Sequence, residues 1–305
     1  TIYHSLLAPY RTIIIPAGED HKTAETISYI TDELLKHEAH RHTTLIALGG
    51  GMITDIGGYA ASIYMRGLHY GFVPTTILGM VDAAIGGKNG INHKLQKNLL
   101  GTINQPQFIL YDSSFLQSLP AEEWSNGFAE VIKYACLFDK ALFKELEQHD
   151  IEYYRTNSAA LNKIIETCAD WKNKIVLADE RETGARKLLN FGHTTGHAFE
   201  TLYQLPHGYA VALGMMVACQ ASIEHCALDA SVPQRLQHLL QAHKLPVQQP
   251  IDIPKVMDVL RMDKKRNKNS IDFILLTEIG NAVIKSLSPE EIQSALVSFS
   301  HASHS

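Results

Sequence analysis

An α/β domain followed by an all-helical domain is the fold class this sequence predicts, and three observations carry it. The first third alternates short β-branched runs with helical patterns, and glycine clusters sit where such runs end. Beyond about Ser118 the pattern is helical almost throughout. Strand, crossover and strand in that order signal a parallel sheet with helices on its faces. The domain boundaries that follow are residues 1–118 and 119–305.

Each element has its own signal. Thr12-Ile-Ile-Ile-Pro16 reads as a strand from its β-branched run. Residues 22–38 carry apolar residues at helical spacing and read as an amphipathic helix. Thr44 to Leu48 is a strand that runs into Gly49, Gly50 and Gly51. Tyr70 to Val73 ends at Pro74-Thr75-Thr76, and Phe108 to Tyr111 ends at Asp112. Parallel sheets bind ligands at the carboxyl ends of their strands, where the glycines and Thr75-Thr76 fall. The segment from Asp82 to Asn98 reads as a glycine-punctuated basic loop. Helices are expected over 121–136, 139–148, 158–178, 194–203, 208–227, 233–243 and 254–261. Ser270 to Ile284 interrupts them as a small hairpin, and Ser288-Pro-Glu-Glu291 opens a closing helix with a capping box.

Composition narrows the function. A chain of 305 residues, 45% hydrophobic and 19% charged, suits two globular domains with real cores. A net charge of −5 argues against nucleic acid as the main partner. Neither a membrane span nor a signal peptide is expected, since no apolar run nears roughly 18 residues. Cys136, Cys168, Cys219 and Cys226 form no C-x-x-C pair and are expected as buried thiols in a reducing, cytoplasmic setting.

Several clusters carry chemistry, each with a plainer reading beside it. His193 and His197 stand four apart, so on a helix they share a face, with Asn190 one turn before them. Together with His207 they lie beside an apolar helix, where imidazoles are costly unless they meet a metal, a ligand or each other. Solvent-facing histidines are the alternative. Gly49 to Gly51, between a strand and a helix, suits a pyrophosphate or is simply a tight turn. It is not a G-x-G-x-x-G fingerprint. Arg66, Lys88 and Lys97 suit an anion or are solvated. Glu130 and Lys133 share one helix face among apolar neighbours, and the run Asp263 to Lys268 reads as a solvated loop.

Longer motifs go further. GGGMITDIGGYAAS, YMRG, VPTTILGMVDAAIGGKNG, KNLLG, AEVIKYA, DERETGARKLLNFGHTTGHAFE, HGYAVALGM and MDKK follow one another between Gly49 and Lys265, within a likeness that spans about residues 18 to 280. In order and spacing this pattern resembles the 3-dehydroquinate synthase family of sugar phosphate cyclases. The resemblance implies a Rossmann-like N-terminal domain binding NAD and an all-α C-terminal domain binding a divalent metal, zinc foremost and cobalt as an alternative. It implies Glu130, His193 and His207 as metal ligands. It maps substrate or catalytic positions onto His197, Lys133, Lys172, Glu182, Arg186, Asn190, Asp82, Lys88, Asn98, Arg66 and either Lys264 or Lys265. NAD contacts map to Glu19, Lys22, Gly50, Gly51, Asp55, Thr75, Thr76, Lys88, Lys97 and Ser118. The implied reaction takes 3-deoxy-D-arabino-heptulosonate 7-phosphate to 3-dehydroquinate with loss of phosphate, in a homodimer. Another sugar phosphate cyclase, such as a 2-deoxy-scyllo-inosose or valiolone synthase, or a catalytically inactive relative, are the alternatives.

The sequence departs from the family pattern at three places. It opens almost at the strand leading to GED-x-K, so the family's first strand is expected to be missing and NAD binding weakened. Tyr209 stands where HGE is usual, so a carboxylate supporting His207 is expected to be absent. Asn89 replaces the common threonine of GGKTG.

Overall fold

The computed structural model describes residues 4–94, 96–263 and 270–301, and the chain divides into two compact units between Leu116 and Gln117. The first unit runs α1 (His4–Leu7), α2 (Ala24–Lys36), β1 (Thr44–Gly49), α3 (Gly51–Ile63), β2 (His69–Pro74), a π-helical turn (Gly79–Ala83), β3 (Lys88–His93), β4 (Gln96–Ile103) and β5 (Phe108–Ile109). Strands β1, β2 and β5 form a parallel sheet in that order, Thr44 opposite His69 and Gly71 opposite Phe108. Helix α2 starts where Thr23 Oγ1 accepts the N–H of Thr26 at 3.4 Å, and it turns Ile27, Ile30 and Leu34 inward. These meet Ala47, Ile56, Ala60, Tyr70 and Phe72 in one core.

Two expectations are corrected in this unit. Thr12 to Pro16 forms no strand. Its alternation survives, Ile13 and Ile15 packing on the core while Ile14 is 63% exposed, but no described strand lies beside it to complete a ladder. The basic segment after Asp82 is not a loop but an antiparallel hairpin, Lys88 opposite Ile103 and His93 opposite Gln96. Its glycines mark close approach of backbones: a Cβ on Gly90 would stand 2.7 Å from the Leu100 carbonyl oxygen.

The second unit runs α4 (Ala121–Phe138), α5 (Lys140–Leu146), α6 (Ile151–Thr156), α7 (Ser158–Ala178), a 3₁₀ turn (Ala185–Asn190), α8 (His193–Tyr203), α9 (His207–Cys226), α10 (Ser231–Ala242), α11 (Ile253–Asp263), the hairpin β6 (Ile271–Glu278) and β7 (Asn281–Leu287), and α12 (Pro289–His301). Every residue from Ala210 to Cys219 is buried, so α9 forms the axis on which α4, α8, α12 and β6 pack. The capping box forms as expected: Ser288 N donates to Glu291 Oε2 at 2.7 Å, and Glu291 N donates to Ser288 Oγ at 3.2 Å. No described helix is long and apolar enough to cross a membrane. All four cysteines are free, and three of them are buried.

Candidate metal centre and its surroundings

Three close approaches fix where the polar groups of the second unit meet. A Cβ on Gly214 of α9 would run into the Gly192 carbonyl oxygen, and one on Gly196 of α8 would lie 3.0 Å from the Ala210 oxygen. Gly192 itself has φ +77°, a left-handed turn that glycine adopts freely, and α8 begins immediately after it. Against α4, Gly208 N donates to Asn126 Oδ1 at 2.5 Å, which pins the start of α9. His193 at the first position of α8, His207 at the first of α9 and Glu130 in mid-α4 are thereby drawn together.

Glu130 Oε1 is the shared point. His193 Nε2 lies 3.4 Å from it and His207 Nε2 3.2 Å, and these three residues offer ligand atoms all within 4.8 Å of one another. The other nitrogen of each ring is engaged elsewhere. His193 Nδ1 is 3.1 Å from the Phe191 carbonyl oxygen, and His207 Nδ1 is 3.6 Å from Glu200 Oε2. Both Nε2 atoms thereby turn toward Glu130 Oε1, the position an ion would take in place of their protons. Lys133 Nζ pairs with the other oxygen of Glu130, and both side chains are buried. Burial works against the charge of Glu130, but the Lys133 ammonium and His193, with hydrogen bonds from both imidazoles, hold its carboxyl well below the usual range. Burial also opposes a charged His207, yet Glu130 and Glu200 raise its pKa to about 9. The pocket thus attracts positive charge. Two imidazoles and a carboxylate sharing one position are the donor set of a zinc-type site.

Glu200 corrects the expectation raised by Tyr209, since a carboxylate does stand against His207. It belongs to α8, on the face that His193 and His197 begin at spacing i, i+4, i+7, a signal the sequence contains. His197 is exposed, its ring centroid 5.4 Å from that of His193 and 6.4 Å from that of His207. Nearby in sequence, Asn190 Nδ2 donates to Glu182 Oε1 at 2.6 Å, and the buried Arg186 donates to the Glu180 carbonyl oxygen at 2.6 Å. Lys172 is buried on α7, and Ser118 is exposed at the end of a 3₁₀ turn. Lys264 and Lys265 lie outside the described residues.

The first unit holds a second cluster. The nearly buried Lys22 donates to Asp55 Oδ2 at 2.5 Å and to Asn98 Oδ1 at 2.6 Å, with Glu19 Oε1 3.7 Å away. Asn92, which sequence reasoning passed over, joins them: its amide donates to Glu19 Oε1 at 3.0 Å, and its carbonyl oxygen accepts Asn98 N at 2.9 Å. At the carboxyl ends of β1 and β2, Thr75 N donates to Gly49 O at 2.8 Å, placing Thr75 and Thr76 beside the glycine turn. A Cβ on Gly50 would stand 3.0 Å from Thr76 Cγ2, and one on Gly51 3.0 Å from Ala83 Cβ. No side chain caps α3 there, and Ile53 N and Thr54 N bond to the Gly50 carbonyl oxygen at 3.0 and 3.1 Å. Asp82 is half-buried in the π-helical turn, while Arg66, Lys88 and Lys97 are exposed. Arg66 and Asn98 hold left-handed backbones, φ 67° and 52°.

Residues 12–126 match the family described as 3-dehydroquinate synthase N-terminal, and residues 127–266 match 3-dehydroquinate synthase C-terminal. The chain belongs to the 3-dehydroquinate synthase family. A 3-dehydroquinate synthase of Crocosphaera subtropica is 41% identical over 286 residues, which cover 92% of this chain and 78% of that protein. Among solved structures, ValA, a 2-epi-5-epi-valiolone synthase from Streptomyces hygroscopicus subsp. jinggangensis 5008 with NAD+ and Zn2+ bound, superposes at a TM-score of 0.91. It is 31% identical, over 100% of this chain and 88% of that one. A 2-deoxy-scyllo-inosose synthase complexed with carbaglucose-6-phosphate, NAD+ and Co2+ shares the fold at 24% identity and a TM-score of 0.86, over 97% of this chain and 84% of that one.

Proposed function

We propose that this chain is a 3-dehydroquinate synthase, a metal- and NAD-dependent lyase that turns 3-deoxy-D-arabino-heptulosonate 7-phosphate into 3-dehydroquinate and phosphate. The observation that carries the reading is the convergence of Glu130, His193 and His207 in a chain whose two halves both match that family. A divalent ion held by these three residues would acidify a substrate alcohol, and NAD would take up its hydride and return it.

The chain's own side chains supply the positioning. Lys133 fixes the Glu130 carboxylate from behind, so that Oε1 faces the two imidazoles. The Glu182–Asn190 pair, Arg186 and Lys172 form a polar lining for the substrate's hydroxyls and carboxylate. His197, exposed beside the two ligand histidines, suits the phosphate end, and the lysine pair 264–265 is assigned to the substrate from the family pattern alone. In the first unit, Gly50, Gly51 and the uncapped start of α3 suit the pyrophosphate, with Thr75 and Thr76 flanking it. Lys22, Asp55 and Glu19 suit ribose and nicotinamide, and Asn98, bonded to Lys22, faces the substrate by family position. By family position Lys88, Lys97 and Ser118 join the NAD contacts, and Asp82, Arg66 and Lys88 the substrate side. We read the working enzyme as a cytoplasmic homodimer.

The likeness to ValA favours one other reading, a cyclase acting on a different sugar phosphate. Incubation with NAD, zinc and each candidate sugar phosphate separates the two. Phosphate release from 3-deoxy-D-arabino-heptulosonate 7-phosphate, without net NADH, is expected. Release from another sugar phosphate alone would replace this reading.

A further inference from the structure

The segment that carries Glu182, Arg186 and Asn190 is closed by a single carboxylate. Helix α7 ends at Ala178, and the N–H of Asp179 just after it still bonds to the Ile175 carbonyl oxygen at 3.0 Å. From there its side chain reaches forward. Oδ1 accepts the N–H of Thr183 at 3.0 Å and the Thr183 hydroxyl at 3.2 Å. Oδ2 accepts the N–H of Gly184 at 2.7 Å and that of Arg186 at 3.0 Å. Those bonds, the Thr183 amide first, draw the carboxyl pKa down to about 2, so the clasp stays ionised at any working pH.

Inside this ring Glu182 has φ 59°, a left-handed backbone that a side chain adopts only where its surroundings impose it. The same turn presents Glu182 Oε1 to Asn190 Nδ2 and the Glu180 carbonyl to Arg186 Nη1. Three substrate-side groups therefore depend on one set of backbone bonds. We propose that Asp179 is a positioning residue, a carboxylate clasp that sets Glu182, Arg186 and Asn190 in register for the substrate. The clause about substrate rests on the cyclase reading; the clasp itself does not.

Asp179→Asn keeps the size and one acceptor oxygen but sets an amide N–H2 against backbone donors. Its kcat/KM for the sugar phosphate is expected to fall roughly 10²-fold, mostly through KM, with metal content per chain unchanged. Added to Glu182→Gln, the same change is expected to cost clearly less than the roughly 10²-fold it costs alone, because part of its effect runs through Glu182. Wild-type kinetics in Asp179→Asn, or full multiplication of the two losses, overturns the proposal. Should the variant not fold, amide exchange in the wild-type protein decides: Thr183, Gly184 and Arg186 are expected to be protected, and exchange at unprotected rates overturns the clasp. Failure of the cyclase reading shows separately, as wild-type protein that releases no phosphate, and the exchange measurement still stands.

Discussion

At the scale of single residues the account rests on which nitrogens and oxygens face one another. Because Glu130, His193 and His207 each give one atom to a common point, Glu130→Ala and His207→Ala are expected to lose metal and turnover together. Either variant retaining one zinc per chain, by elemental analysis, would count against the ligand set. Glu200 Oε2 stands 3.6 Å from His207 Nδ1 and outside the three-ligand group, so Glu200→Gln is expected to keep the site but weaken zinc affinity about 10- to 100-fold in a chelator competition. Unchanged affinity would remove Glu200 from the site. Little of this was legible from spacing. The i, i+4 pair His193–His197 pointed to a helix face, yet the structure sets His193 against His207 and leaves His197 exposed beside them. A carboxylate 63 residues before one histidine and 77 before the other has no local signal, and only the family motifs nominated it.

Elements bring those residues together, and glycines set the spacing between elements. Gly214→Ala would force a methyl against the Gly192 carbonyl, prising α8 from α9 and His193 from His207. The expected result is a lower melting temperature and loss of bound zinc; a variant that melts and binds zinc normally would show that the close approach is unimportant. Ser288→Ala, by contrast, removes one cap on α12, and should cost about 1 kcal/mol in chemical denaturation while leaving turnover intact. The sequence displayed the helices well because their apolar spacing and caps are local. It displayed strands less well. A strand is made by its neighbour, so Thr12 to Pro16, with the right residues but no pairing strand among the described residues, is not one, whereas the glycine-rich stretch from Lys88 to Ile103 pairs with itself.

Over the whole molecule, burial decides which ionisable groups couple stability to pH. His243 is fully buried against Phe128, ring centroids 5.0 Å apart, with its Nδ1 2.9 Å from the Leu239 carbonyl oxygen. Burial lowers its pKa below the ordinary histidine value. The unfolded chain therefore binds a proton that the folded one refuses. Its contribution is full above the unfolded pKa of about 6.5 and is lost as pH falls, with a slope of at most about 1.4 kcal/mol per pH unit. Denaturation between pH 7.5 and 5.5 should show the wild-type protein losing more stability than His243→Leu; parallel losses would contradict the assignment.

The most direct test of the metal centre is an anomalous difference map recorded at the zinc edge from crystals of the zinc-loaded protein. One strong peak is expected among Glu130 Oε1, His193 Nε2 and His207 Nε2, at ligand distances of about 2.0–2.2 Å. A map without a peak there, or with zinc held by other side chains, would contradict it.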